Sequence, residues 1–280
     1  MAKHKFTAAL VQMSSTNQMA ENIVSAEAMI REAAAGGAHL ILTPEMTTLM
    51  ESDGRSLREK IFTEDTDPAL PVFLGLAQEL GLWLVIGSMA IKTADGSIAN
   101  RCYMLSPEGR ITARYDKIHM FDVNLPGGVT YRESRSYRPG QQAVMAKTPW
   151  GPLGLSICYD LRFAGLYRKL ARGGAGMLSI PAAFTAETGA AHWHILLRAR
   201  AIENGAFVMA PAQTGCHESA SGEIRKTYGH SLFVDPWGNI IDDGGAGAGI
   251  TLAEIDLSLV DKARSRIPSL SHDRPYEMKS

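Results

Sequence analysis

Short continuous apolar runs alternate with windows of helical period along this chain, and that alternation restricts it to a layered α/β architecture. Residues 6–12, 39–43, 83–89, 98–105, 111–115, 153–158, 177–180, 207–212, 230–234 and 250–255 read as strands. Residues 17–35, 68–80, 164–172 and 192–204 read as helices. In the first helix Ile23, Ala26, Met29 and Ile30 recur near helical spacing, and Gly36-Gly37 stops it. Pro107-Glu108-Gly109 reads as a hairpin turn, Asp235-Pro-Trp-Gly238 as another turn, and residues 121–142 as a long loop rich in Gly, Pro and charge. No linker composition and no short sequence repeat interrupts the pattern. The expectation is one domain over residues 1–280, with its core at about 6–275.

Composition excludes several function classes. A chain of 280 residues, 45% hydrophobic and 20% charged, can bury a sizeable core. A net charge of −1 gives no global field to draw in nucleic acid or an acidic membrane. No stretch of eighteen apolar residues is present, so no membrane span is expected. The start, Met-Ala-Lys-His-Lys-Phe-Thr, has no apolar leader core, and Cys102, Cys158 and Cys216 suit neither a disulfide framework nor a zinc finger. A reducing, cytoplasmic setting is expected. The Gly-rich run at 244–249 lacks the Lys-Ser/Thr of a phosphate loop and reads as a flexible connection.

Three residues stand in distinctive local frames. Glu45 closes His39-Leu-Ile-Leu-Thr-Pro-Glu45, Lys117 lies in Tyr115-Asp-Lys-Ile-His-Met-Phe-Asp122, and Cys158 ends Gly154-Leu-Ser-Ile-Cys158 before Tyr159-Asp-Leu-Arg-Phe163. Together they supply a proton acceptor, a cation and a nucleophile, which attack on an amide carbonyl requires. A cysteine between a strand and a helix sits where the helix dipole favours a thiolate, and the following N–H, that of Tyr159, can face an oxyanion. Glu133 is a further candidate, to hold the lysine or to position the amine and water. Each has a plainer reading taken alone: a buried small hydrophobe for Cys158, solvated charges for Glu45, Lys117 and Glu133.

Rival sites are poorer. His192 and His194, two apart on a helix, point to different sides, and His217 and His230 lack a nearby carboxylate pattern in sequence. No metal site is therefore expected. Neither Gly154-Leu-Ser-Ile-Cys158 nor Gly229-His-Ser-Leu-Phe233 has the second glycine of a nucleophile elbow, which disfavours a serine hydrolase.

On these motifs the chain resembles the nitrilase superfamily of carbon–nitrogen hydrolases, from about Phe6 to Pro275. The match rests on Pro44-Glu45, Tyr115-Asp-Lys-Ile-His-Met-Phe-Asp122 and Ile157-Cys-Tyr-Asp-Leu-Arg-Phe163. It continues through Ala191-His-Trp193, Arg198-Ala-Arg-Ala-Ile-Glu-Asn204 and Tyr228-Gly-His-Ser231 with Asp235-Pro-Trp-Gly238. The resemblance implies an α-β-β-α sandwich, a Glu45-Lys117-Cys158 triad, an auxiliary Glu133, no metal or organic cofactor, and a homodimer or higher homo-oligomer. Phe121-Asp-Val-Asn-Leu-Pro126 with Glu133-Ser134 is similar to the branch holding deaminated-glutathione amidase and ω-amidase, and Ala212-Gln-Thr-Gly-Cys-His217 leans towards the former. One departure is Gly165, where members carry a glutamate.

The expected activity is hydrolysis of a small carboxylated amide through a thioester, with Lys117 and the Tyr159 N–H on the oxyanion. Arg162, Tyr159 and Tyr131 are the candidates to hold the substrate carboxylate. Residues 121–142 and 216–226 are expected to wall the leaving side. An ω-amidase acting on α-keto amides, and a catalytically silent scaffold, are the alternatives.

Overall fold

The structure is a computed structural model that describes residues 4–125 and 128–279. Pro126, which ends one motif, and Met1 at the start of the chain lie outside the described residues.

In chain order the elements are β1 (Lys5–Gln12), α1 (Met19–Ala35), β2 (Leu40–Leu42), α2 (Gly54–Lys60), α3 (Ala69–Leu80), β3 (Trp83–Lys92), β4 (Ile98–Leu105) and β5 (Ile111–Asp116). Then come β6 (Asp122–Asn124), β7 (Thr130–Arg132), β8 (Val144–Thr148), β9 (Gly151–Leu155), α4 (Ala164–Arg172), β10 (Met177–Ser179), α5 (Ala186–Asn204) and β11 (Phe207–Ala210). The chain closes with β12 (Thr214–Glu218), β13 (Ile224–Tyr228), β14 (Leu232–Val234), β15 (Ile240–Asp243), β16 (Gly249–Asp256) and α6 (Ser258–Arg266).

Two six-stranded sheets carry the fold, ordered β16-β1-β2-β3-β4-β5 and β15-β14-β11-β10-β9-β8. Each has three parallel strands in the middle, β1-β2-β3 and β9-β10-β11, flanked by antiparallel partners. The two halves therefore repeat one topology that no sequence repeat announces.

Alternation along the strands decides the layers. Ala8, Leu10, Leu40 and Leu42 enter the cluster shared with the second sheet. Their neighbours Ala9, Val11 and Ile41 pack instead with Ala26 and Ile30 of α1 and Phe73 and Leu76 of α3. In the second sheet Gly154 and Leu178 face Leu170 of α4. The result is the expected α-β-β-α sandwich. Truncating a fully buried residue such as Phe73 to Ala should remove about 3–5 kcal/mol. Among the described residues no helix is long and apolar enough to cross a membrane.

Several boundaries differ from the sequence reading. The helix expected from 192 begins at Ala186, because Ala186, Glu187 and Ala190 form helix readily without an apolar stripe to announce it. The loop at 121–142 contains the short pair β6–β7 and a 3-10 turn, Glu133–Arg135. The strand expected to end at Cys158 ends at Leu155. Helices α2 and α6 and the β12–β13 hairpin lie in stretches to which the sequence reading assigns no element. α2 is short and starts from a local cap, Asp53 accepting from the Ser56 N–H at 2.7 Å, which an apolar-period search does not see.

Candidate active site

Glu45, Lys117, Glu133 and Cys158 meet beyond the carboxyl ends of the parallel strands, the end of an α/β sheet where loops converge. Glu45 follows β2 and Lys117 follows β5 directly. Lys117 Nζ lies 2.8 Å from Glu45 Oε1 and 2.9 Å from each Glu133 oxygen. Both Lys117 and Glu45 are buried. Glu133 Oε2 also accepts the Phe121 N–H at 2.6 Å, so the 3-10 turn is fixed against the lysine loop.

Asn100, on β4, was not picked out from sequence. Its Nδ2 donates to Glu45 Oε1 at 2.9 Å and to Glu133 Oε1 at 3.3 Å, while its carbonyl accepts the Lys117 N–H at 2.9 Å. It holds two carboxylates around one ammonium. The signal available was an amide side chain inside a strand window, and the neighbouring Arg101 shares that polarity, so nothing local singles Asn100 out.

Cys158 takes a left-handed backbone, φ 49°, after Ser156 and an extended Ile157, and opens a 3-10 turn to Arg162. A non-glycine residue there costs about 1–2 kcal/mol. The strain is held by the Cys158 N–H to Pro181 O, 2.8 Å, and by Asp160. Asp160 is buried and accepts four bonds: Tyr115 Oη at 2.7 Å, the Ile157 N–H at 2.9 Å, the His119 N–H at 3.0 Å and His119 Nδ1 at 2.7 Å. It ties the lysine segment to the cysteine turn, a function its motif position did not disclose. The Tyr159 N–H makes no hydrogen bond among the described residues.

Glu45 is anchored from the second sheet. The Ala183 N–H donates to its Oε2 at 2.8 Å, and Gln213 Nε2 donates to its main-chain carbonyl at 3.0 Å. Gly87 permits the approach: a Cβ there would fall within 2.6 Å of Pro181 and closer still to the Thr43 and Pro44 carbonyl oxygens.

Burial alone raises the Glu45 carboxyl. The Lys117 ammonium, the Cys158 thiol and Arg225 outweigh it and hold the group below the usual carboxylate range. Burial also opposes the Lys117 charge, but Glu133 and Glu45 keep it well above its ordinary value. For Cys158, burial and then the Glu45 carboxylate push the thiol well up, against the pull of Lys117. This corrects the expectation of a thiolate favoured by a helix end. The group after Cys158 is a short 3-10 turn, and its dipole does not overcome desolvation beside an anion. The resting arrangement is a neutral thiol next to an ionised base.

A cavity opens over this cluster, walled by Phe121, Tyr131, Tyr159, Phe184, His217 and Arg225. Tyr131 and Tyr159, two of the three candidates for the substrate carboxylate, are among the residues that line it. Arg162 does not line the cavity. Its guanidinium lies over the Phe184 and Tyr159 rings, 5.3 and 5.9 Å from their centres, with Nη2 3.3 Å from His192 Nδ1. The arginines that do line it are Arg132 and Arg225, and the Arg225 guanidinium, on β13, lies 5.5 Å from the centre of the Tyr131 ring. Arg225 sits in Ile224-Arg-Lys-Thr-Tyr228, which carries no local pattern; only its place in the expected wall at 216–226 pointed there.

Away from the cavity, His194 Nε2 and His230 Nδ1 lie 3.0 and 2.9 Å from Asp243 oxygens. The sequence reading gave His230 no carboxylate and set His194 aside for its spacing from His192; α5 and the β14–β15 hairpin bring Asp243 to both only in the fold.

Gly165, the departure in the cysteine motif, opens α4 on an exposed face, and a Cβ there would meet nothing within 4 Å. The pocket walls do not involve it.

The chain is similar to known proteins. The family model described as carbon-nitrogen hydrolase matches residues 7–265. A deaminated glutathione amidase of Synechocystis sp. is 41% identical over 272 residues, covering 95% of this chain and 97% of that protein. The crystal structure of Saccharomyces cerevisiae Nit3, a member of branch 10 of the nitrilase superfamily, superposes with a TM-score of 0.83 at 28% identity, covering 94% of each chain. The C. elegans NitFhit protein gives a TM-score of 0.89 at 36% identity, over 98% of this chain and 66% of that one.

Proposed function

The chain belongs to the carbon-nitrogen hydrolase family and is an amidase, and we propose that its substrate is deaminated glutathione, cleaved by Cys158, Glu45 and Lys117. The observation that carries the mechanism is the buried 2.8 Å contact of Lys117 with Glu45 at the cavity that Cys158 also lines, where Glu45 is held ionised and the Cys158 thiol protonated.

Glu45 takes the thiol proton as the sulfur attacks the amide carbon, so the thiolate forms only during attack. The carbonyl oxygen becomes an oxyanion held by the Lys117 ammonium and the Tyr159 N–H, each donor worth about 10²–10³ in rate. Glu45 returns its proton to the amide nitrogen as the C–N bond breaks, and the amine leaves. The thioester then takes a water whose proton goes to Glu45. A second tetrahedral species collapses, the C–S bond breaks, and the thiol recovers its proton. Glu133 keeps Lys117 in place and lies close enough to orient the amine and the water.

The names of the relatives support the substrate, as does a cavity that offers Arg225, Tyr131 and Tyr159 to a carboxylated ligand. Steady-state kinetics on deaminated glutathione and α-ketoglutaramate test it. A kcat/KM at least ~10-fold higher for deaminated glutathione is expected, about 1.4 kcal/mol of differential transition-state binding. Equal values or the reverse order move the assignment to an ω-amidase.

The same reading includes a homodimer and a cytoplasmic setting. Ile195 and Ile202 on the outer face of α5, 70% and 53% exposed, support the first, and three free cysteines support the second. A monomer by light scattering at working concentration would remove the dimer from it.

A further inference from the structure

We infer that Arg225 binds a carboxylate on the leaving group, the C-terminal carboxylate of the departing dipeptide, and so selects substrates whose amide nitrogen carries an anionic extension. The inference rests on the proposed substrate and deepens it.

Every other cation against the site is already matched. Lys117 is held by Glu45 and Glu133, and Lys60 by Glu51. Arg132 spends its donors on the Val123 and Tyr131 carbonyls and on Asn124 Oδ1. Arg225 forms no ion pair among the described residues. Its Nη2 donates to Ala183 O at 2.5 Å, its guanidinium lies 5.5 Å from the centre of the Tyr131 ring, and its Nε is buried with no acceptor. The buried N–H without an acceptor shows a guanidinium that the protein does not fully match, and Nη1, which is not buried and has no partner among the described residues, is left to take a ligand oxygen. An arginine fork between an aromatic face and a carbonyl suits a carboxylate.

The side of the cavity follows from Glu45. Its Oε1 is occupied by Lys117 and Asn100, whereas Oε2 accepts only the Ala183 N–H among these groups. The proton handed to the departing nitrogen therefore comes from Oε2, on the Ala183 side. The carbonyl of that same Ala183 holds Arg225. Atoms attached to the leaving nitrogen extend towards the guanidinium, while the acyl part lies beyond Cys158.

The test compares Arg225→Gln and Arg225→Lys with wild type on three substrates: deaminated glutathione, its C-terminal amide, and α-ketoglutaramate, which releases only ammonia. Arg225→Gln should lose ~100-fold in kcat/KM on deaminated glutathione, mainly through KM, and at least ~10-fold less than that on the other two. Arg225→Lys should recover part of the loss. Wild type should treat the C-terminal amide as Arg225→Gln treats the acid. Thermal melts of both variants are the folding control. Equal losses on all three substrates, or no loss on any, overturn the assignment to the leaving group. A wild type that prefers α-ketoglutaramate overturns the substrate reading itself, which is a different result from the first.

Discussion

Lys117 Nζ and Glu45 Oε1 sit 2.8 Å apart with both side chains almost wholly buried, yet they come from loops 72 residues apart in sequence. With the second carboxylate, Glu133, the lysine is in direct contact with two carboxylates that otherwise repel each other. Lys117→Met should therefore do two things. It should reduce kcat by at least ~100-fold, the scale of one lost oxyanion donor. It should also destabilise the fold by about 3–5 kcal/mol at neutral pH, since two carboxylates lose their partner. That destabilisation should shrink in acid as the carboxylates protonate. Denaturant titrations at pH 7 and pH 5 check this; an equal loss at both values would mean that charge isolation is not the cause.

Glu45→Gln keeps the size of the side chain and removes both the proton acceptor and the negative charge. We expect kcat to fall by about 10²–10⁴, the usual worth of a positioned acid–base. The Cys158 thiol should respond in the opposite sense. The Glu45 carboxylate is one of the causes that push it up, so its removal moves the thiol down. The pH profile of iodoacetamide alkylation should therefore shift to lower pH in Glu45→Gln. An unchanged or upward shift would remove Glu45 from contact with the sulfur.

Cys158→Ala should abolish turnover with the fold retained, while Cys102→Ala and Cys216→Ala keep most activity, neither being placed at the cavity. The backbone adds a finer expectation. At φ 49° a glycine is unstrained and an alanine is not, so Cys158→Gly should be more stable than Cys158→Ala by roughly 1 kcal/mol. The reverse order in thermal melts would place the strain elsewhere.

The parts of this site that were legible in sequence are those with a local frame. Glu45 follows a proline at a strand end, Lys117 sits after a strand among aromatics, and Cys158 breaks an apolar run. Strand and helix windows were legible wherever burial imposes a period, as in α1 and β1. Residues that act across the sandwich were not. Asn100, Asp160 and Arg225 matter because of what the other sheet or the opposite loop puts beside them, and no window of sequence contains both sides. Gly87 is the same case in backbone form, since its need for no Cβ arises from Pro44 and Pro181 together. The protonation of Cys158 was misread for a related reason: the helix end is local and visible, whereas the burial of the sulfur, and then the carboxylate beside it, arise only in the fold.

Gly165 offers a test of the departure in the cysteine motif. It lies in the first turn of α4, exposed, with open space around a built Cβ and no left-handed backbone. Gly165→Glu exchanges a poor helix former for a good one, worth about 0.5–1 kcal/mol, and adds a negative charge at the helix N-terminus, worth about 0.3–1 kcal/mol. A gain of roughly 1 kcal/mol is expected, with kcat/KM within two-fold. A loss of stability, or a large change in kinetics, would show that this helix start is coupled to the pocket edge after all.

His217 sets a pH limit on the cavity wall. Its ring is buried, with Nδ1 2.7 Å from Ser15 O and Nε2 2.7 Å from Thr227 Oγ1. A carbonyl can only accept, so Nδ1 carries the proton and Nε2 accepts the threonine hydroxyl. A second proton would have to enter at Nε2, break that bond and place a charge in a buried site near Arg225. Burial is the main cause that lowers the His217 pKa below its ordinary 6.5, against the opposing bond to Ser15, and Arg225 adds to it. The sign follows by linkage. Below about pH 6.5 the unfolded chain takes up a proton that the folded chain refuses, so stability complete above that pH is lost as pH falls towards the folded value. One such group contributes at most about 1.4 kcal/mol per pH unit. The stability of wild type should thus fall more steeply between pH 7 and pH 5.5 than that of His217→Gln, whatever the variant's absolute stability. Parallel curves for the two proteins would show that this histidine already titrates as it does in the unfolded chain.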